Sequence, residues 1–67
     1  MDDIRYCAHA RQRMIERGIS EQEVKSAILE GSKVRRDGRI VASYSYFDVV
    51  YIIRDKHCYV ITVMLRW

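Results

Sequence analysis

Between residues 33 and 65 the sequence consists of strand-forming segments separated by interruptions of only two or three residues. Valine, isoleucine and tyrosine dominate most of these segments, as is typical of β-strands. Interruptions this short join antiparallel neighbours, because a parallel pair needs a crossover of about a dozen residues. We therefore expect a mainly antiparallel sheet of three or four strands. The candidate strands are Lys33–Arg36, Arg39–Tyr46, Val49–Arg54 and Cys58–Leu65, and Ile4–Cys7 is a further candidate.

Two helices are predicted ahead of these strands, at about residues 9–17 and 21–30. The first is followed by Gly18, a residue that commonly ends helices in the left-handed conformation. The second begins with a capping box, in which the Ser20 hydroxyl accepts from the backbone N–H of Glu23 and the Glu23 carboxylate reaches back. Gly31 ends this second helix. The short link between them predicts a helical hairpin.

The predicted fold class is α+β, with the two-helix hairpin packed on the sheet and residues 1–67 forming one domain. The last two strands carry apolar residues at consecutive positions, so both faces of the sheet are apolar. Two helices cover one face only. The other face requires sharp sheet curvature, a partner protein or a second copy of the chain, so we expect an interaction surface. The residues expected between helices and sheet include Met14, Val24, Ile28, Ile53, Val60 and Thr62.

The positive charge lies in the second half of the chain. The net charge is +3, and residues 32–67 carry seven Lys or Arg against three Asp or Glu. A cluster of cations attracts phosphate groups, so these residues are candidates for RNA binding. A solvated edge strand that charges protect from aggregation is an equally good interpretation. The clustered cations are Lys33, Arg35, Arg36 and Arg39.

The first predicted helix carries His9, Arg13 and Arg17 at every fourth position, which places them on one face. Imidazole transfers protons near neutral pH, and guanidinium binds phosphate through two parallel hydrogen bonds. This combination suits phosphodiester chemistry. The alternative is that these residues are simply the solvated outer face of an amphipathic helix.

Cys7 and Cys58 lie close in sequence to the two histidines, which raises the possibility of a zinc site. Adjacent residues on a strand point to opposite faces, so His57 and Cys58 are poorly placed to share one ion. Two buried free thiols are the preferred interpretation, and no metal or cofactor is expected. No apolar run is long enough for a membrane span, and the acidic start differs from a secretory signal, so we expect a cytoplasmic protein.

The string His9-Ala10-x-x-Arg13-Met14-x-x-Arg17-Gly18-Ile19, followed by Val24 and a late Ile61-Thr62-Val63, resembles a family of small prokaryotic proteins catalogued as a domain of unknown function. That family is similar in fold to the RelE/ParE and BrnT toxins, whose scaffold several metal-independent ribonucleases share. The resemblance implies a RelE-like domain and a toxin-like endoribonuclease that is paired with an antitoxin. It carries over His9, Arg13 and Arg17 as the catalytic residues.

The leading hypothesis is a metal-independent endoribonuclease of a toxin–antitoxin system. Its expected partners are RNA, including RNA on the ribosome, and an antitoxin protein. The alternative is a non-catalytic module that binds nucleic acid or another protein. A third hypothesis is a regulatory homodimer that does not bind nucleic acid.

Overall fold

The computed structural model of the chain describes residues 3–66, which form two helices and five strands. The predicted α+β class is confirmed, and both helices agree with their predicted ranges to within a residue. The outer ends of the predicted 1–67 domain, at residues 1, 2 and 67, lie outside the described residues. The elements are β1 (Ile4–Tyr6), α1 (Ala8–Arg17), α2 (Glu21–Glu30), β2 (Ser32–Arg36), β3 (Arg39–Tyr44), β4 (Phe47–Arg54) and β5 (His57–Leu65).

The strands form one sheet in the order β1-β5-β4-β3-β2. The strands from β2 to β5 pair antiparallel with their neighbours in the chain, as the short connections predict. β1 pairs parallel with β5 at the edge, with Ile4 beside Cys58. The prediction of three or four strands that all follow the helices is therefore wrong. The candidate strand at Ile4–Cys7 is present as β1, but its parallel pairing with β5 joins distant parts of the chain and could not be read from the local pattern.

Local chemistry determines the ends of the helices, as predicted. Gly18 ends α1 in the left-handed conformation, with φ of 68°. The capping box is present: Ser20 Oγ accepts from the backbone N–H of Glu23, and Glu23 Oε1 accepts from the backbone N–H of Ser20. The predicted hairpin turn at Asp37 and Gly38 is also present, and both residues have the positive φ of a type I′ turn.

A β-bulge between β4 and β5 changes which side chains of β5 face the helices. Val50 pairs with Thr62, but the next pair across these strands skips Ile61. The extra residue reverses the alternation of the strand. Val60 and Val63 therefore both face the helices. Thr62 shares the opposite face with Val50 and is not part of the helix-side core.

The two ends of β4 also differ from the prediction. Phe47, expected with Asp48 at a break between strands, begins β4 and is fully buried. The turn lies two residues earlier, at Ser45 and Tyr46, and Ser45 has a φ of 53°. Ile53, expected in the core, is 57% exposed. It lies near the turn that joins β4 to β5, away from the β4 residues that the core cluster buries.

The helices cover one face of the sheet, with α1 packed on β5 and β1 and α2 packed on β3 and β4. We call the other side the open face. A row of neighbouring side chains crosses it on four adjacent strands: the apolar Val34, Val41 and Val50, and then Thr62. Neither helix of residues 3–66 has the length and apolar character needed to cross a bilayer. The helix-side core contains Ala10, Met14, Ile19, Val24, Ala27, Ile28, Ile40, Ala42, Phe47, Val49, Tyr51, Cys58, Val60 and Val63.

Gly31 joins α2 to β2 where the backbone leaves no room for a side chain. A Cβ at this position would lie 2.6 Å from Ala27 O and 2.7 Å from Ser43 O. Both are backbone atoms, so the clash is relieved only by moving α2 or β3. We expect Gly31→Ala to lower the free energy of unfolding by about 2–3 kcal/mol, as overpacking of a dense site does. Urea unfolding followed by circular dichroism measures this change.

Gly18→Ala is the matched comparison for Gly31→Ala. Gly18 has a left-handed φ, but a Cβ at this position would have no neighbour within 4 Å, so alanine meets backbone strain without a clash. The expected loss is about 1 kcal/mol. A Gly31→Ala protein as stable as the parent chain would contradict the close approach of α2 and β3.

Candidate functional site

A groove runs between α1 and the second half of β5. Its volume is ≈ 340 Å³, and its lining consists of His9, Arg13 and Arg17 from the helix and residues 62–65 from the strand. The three helix residues share one side of α1, while Ala10 and Met14 on the same helix are buried against the sheet. The structure thus brings the three predicted catalytic residues together in one concave site.

The groove is electropositive. Arg13 is half-buried, and its Nη1 lies 3.4 Å from Glu16 Oε1, while His9 and Arg17 are exposed. An exposed ion pair at this distance is weak, so Glu16 does little to prevent Arg13 from binding an anion. Within the described chain, the groove lining contains no Asp or Glu. An anion that enters it meets two guanidinium groups, each able to donate paired hydrogen bonds to a phosphate.

His9 lines the groove from the start of α1. Cys7 is the N-cap, and its Sγ accepts from the backbone N–H of Ala10 at 3.4 Å and donates to Ile61 O at 3.3 Å. These contacts join the beginning of the helix to the bulge in β5. His9 is the second residue of α1, where the first backbone N–H groups lack helical partners and carry partial positive charge. That charge favours anions close to the imidazole.

Sequence reasoning missed the strand side of the groove. Strict alternation predicts Thr62 in the core, but the bulge at Ile61 places it on the opposite face. Residues 62–65 are consecutive, so it is the edge of β5 that forms the wall. β1 pairs with β5 only as far as Val60, and it leaves this part of the edge uncovered. The bulge depends on pairing with other strands, and no residue type in β5 signals it.

The predicted RNA-binding residues lie at the other side of the sheet. Lys33, Arg35 and Arg36 are on β2, Arg39 begins β3, and all four are exposed. Arg36 and Arg39 are direct neighbours across the hairpin, a like-charged pair that a bound anion would stabilise. Two strands separate β2 from β5, which is about 14 Å at the usual spacing of strands. The structure therefore does not place this cluster in the groove.

The residues considered as zinc ligands do not gather at one point. Cys58 is buried, and Cys7 is exposed at the start of α1. His57 Nδ1 lies 3.0 Å from Asp3 Oδ2, a carboxylate oxygen that also accepts from the guanidinium of Arg5. Across residues 3–66, no group of three or more His, Cys, Asp or Glu side chains is arranged to hold a metal ion.

The two thiols have different environments. Burial raises the pKa of Cys58 from 9.0 to about 11. The prediction of a buried free thiol is right for Cys58 and wrong for Cys7, because the N-cap of α1 lies at the surface.

We expect a thiol reagent at pH 8 to modify Cys7 in the folded protein and Cys58 only after unfolding. The thiolate is the reactive form of cysteine. The raised pKa keeps Cys58 protonated at pH 8, and its burial keeps the reagent away from the sulfur. Titration of free thiols with Ellman's reagent, with and without denaturant, tests this. Fast reaction of folded Cys7→Ser protein would contradict the burial of Cys58.

Two similarities relate this chain to known proteins. Residues 6–65 match the model of a family described as a domain of unknown function, DUF4258. A chain of the toxin–antitoxin complex RelBE2 from Mycobacterium tuberculosis is similar in structure, with a TM-score of 0.64, 18% sequence identity and 96% of each chain covered. At this identity the similarity establishes a common fold. No curated protein sequence matches the chain.

Proposed function

The chain belongs to the DUF4258 family, and from this premise we propose that it is a toxin-like, metal-independent endoribonuclease of a toxin–antitoxin pair. The observation that carries the proposal is the groove in which His9, Arg13 and Arg17 meet. The fold shared with a chain of the RelBE2 toxin–antitoxin complex adds support.

The proposed reaction is an internal transesterification of RNA. The 2′-hydroxyl attacks the adjacent phosphorus, and His9 accepts its proton. The bond from phosphorus to the 5′-oxygen breaks, and that oxygen takes a proton from the imidazolium or from water. Arg13 and Arg17 stabilise the charge that develops on the five-coordinate phosphate. The products are a 2′,3′-cyclic phosphate and a 5′-hydroxyl.

The basic cluster on β2 and β3 would hold the RNA at a distance from the reacting bond. Lys33, Arg35, Arg36 and Arg39 bind phosphates in this proposal and carry no base specificity, because phosphate contacts fix position rather than sequence. The protein would act in the cytoplasm, on free RNA or on RNA at the ribosome. An antitoxin protein would hold it inactive.

A non-catalytic module that binds nucleic acid or protein is the second candidate function. The open face favours it, because Val34 is 53% exposed there and Val41 beside it is partly exposed, although Val50, further along the row, is buried. A protein partner or a second copy of the chain would bury such a surface.

The test is direct. Purified protein is incubated with RNA between pH 5 and 9 in the presence of EDTA, and the ends of the products are identified. We expect cleavage that leaves 2′,3′-cyclic phosphate and 5′-hydroxyl ends. Binding without cleavage at every pH would favour the non-catalytic module, and cleavage only with an added divalent cation would contradict the proposed chemistry.

Substitutions in the basic cluster should affect RNA binding through charge alone. We expect Arg35→Gln with Arg36→Gln to weaken binding by a similar factor for all RNA sequences. The slope of log K against log salt should become shallower by about 0.7 for each phosphate that the variant no longer neutralises. Fluorescence anisotropy over a salt series measures both effects. Lys25→Gln, which removes an exposed cation from α2, is the control, and an unchanged slope in the double variant would exclude these contacts.

A further inference from the structure

β2 is an edge strand whose outer side pairs with no other strand of the sheet within residues 3–66. All five of its residues, from Ser32 to Arg36, are exposed. An exposed strand edge presents unpaired backbone donors and acceptors, and it is a template for the addition of another strand.

The hairpin turn determines which backbone groups point outward. A two-residue type I′ turn at Asp37 and Gly38 makes Arg36 and Arg39 a hydrogen-bonded pair. Hydrogen-bonded and non-bonded pairs alternate along an antiparallel ladder. The N–H and C=O groups of Lys33 and Arg35 therefore point away from β3 and into solvent.

The side chains of β2 divide between the two faces of the sheet. Lys33 and Arg35 stand opposite Ala42 and Ile40, which belong to the helix-side core, so both cations lie on the helix side. Val34 extends the apolar row on the open face. The edge thus offers cations on one face and an apolar contact on the other.

We propose that the outer edge of β2 is a strand-addition site for an extended acidic segment of a protein partner. The added strand would take up the backbone groups of Lys33 and Arg35 and place carboxylates beside their side chains. On the other face an apolar side chain would pack on Val34 and continue the row of the open face. β2 is well anchored for this role, because the chain packs closely at Gly31, just before the strand, against the backbone of Ser43.

The positive charge of the β2 edge favours an acidic partner over a second copy of the chain. A second copy of the chain would bring Lys33, Arg35 and Arg36 of its own against the same cations, and like charges across strands repel. An extended acidic segment would form hydrogen bonds with the outward backbone groups of β2, and its carboxylates would pair with the Lys and Arg side chains. The same cations are assigned to RNA above, so the segment would exclude RNA from this cluster. Only that exclusion depends on the proposed function, whereas the docking does not.

The probe is a seven-residue peptide of alternating glutamate and valine, acetylated and amidated at its ends. Nuclear magnetic resonance measures amide exchange in the full chain at rising peptide concentration. In the free protein the amides of Lys33 and Arg35 should exchange fast, while the Val34 amide, which points toward β3, is already protected. At saturation the peptide should slow exchange at Lys33 and Arg35 by about tenfold or more, because the added strand occupies those donors.

Two controls separate the backbone contribution from the charge contribution. The same peptide with methyl groups on every second backbone nitrogen should lose the protection. The Lys33→Gln, Arg35→Gln protein should bind the acidic peptide about fivefold more weakly, as expected for two exposed ion pairs. Lys25→Gln should bind it like the unmodified chain.

Three results would overturn the proposal: no protection at Lys33 and Arg35, equal binding of a lysine–valine peptide, or an RNA oligonucleotide that binds at these amides when the acidic peptide does not. RNA cleavage is not part of the readout, so failure here and failure of the proposed nuclease activity are separate results.

Discussion

His9→Ala is expected to lower the rate of RNA cleavage by ~100-fold or more while the protein keeps its fold. Proton transfer by a positioned imidazole contributes about that factor. His9 is exposed on the groove side of α1 and is not among the buried residues of the core, so its removal costs little stability. Single-turnover cleavage of a labelled RNA, with circular dichroism as the check on folding, measures the effect.

Arg13 offers a second test of the same site. Arg13→Lys keeps the charge but loses the paired hydrogen bonds of the guanidinium, so cleavage should fall at least as far as in His9→Ala. His57→Ala is the matched control, because it removes the other histidine, which lies beside Asp3 and outside the groove. If His57→Ala were the variant that lost activity, the assignment of the groove would be wrong.

Phe47→Ala is expected to leave most of the protein unfolded at 25 °C. Phe47 is fully buried, and its ring centroid lies 5.2 Å from that of Tyr46 and 6.2 Å from that of Tyr44, both in edge-to-face contact. Loss of a buried phenylalanine costs about 3–5 kcal/mol. A core in so small a domain supplies only ~3–5 kcal/mol, so the substitution removes nearly all of the stability. Circular dichroism and the dispersion of amide resonances measure it.

Ile53→Ala is the control for Phe47→Ala, since it shortens a large apolar side chain on the same strand. Ile53 is 57% exposed, so its loss should cost well under the value for Phe47, about 1 kcal/mol or less. If both variants unfolded to the same extent, strand propensity in β4 rather than burial of Phe47 would explain the effect.

Much of the fold follows from interactions between residues that are close in the chain. Gly18 takes the left-handed conformation, and Ser20 and Glu23 form their capping box, because these depend on one or two neighbouring residues. The turn at Asp37 and Gly38 is of the same kind. The spacing of His9, Arg13 and Arg17 likewise requires only that α1 be a helix, so their common face was predictable.

What the sequence could not supply depends on contacts between distant residues. The parallel pairing of β1 with β5 joins the two ends of the chain, and the bulge at Ile61 arises where β5 meets β4. That bulge places Thr62 on the open face and so shapes the strand side of the groove. The burial of Phe47 and exposure of Ile53 likewise depend on where the two helices lie over the sheet, which no local pattern encodes.

The sequence by itself determined the helices, the hairpin turn and the set of side chains on one face of α1, because each follows from backbone preferences over a few residues. Only the tertiary structure decided that these side chains border a groove and that the cations of β2 lie at the opposite side of the sheet. The physical reason is that strand order and register minimise the free energy of the whole sheet, and a one-residue shift in register exchanges its two faces.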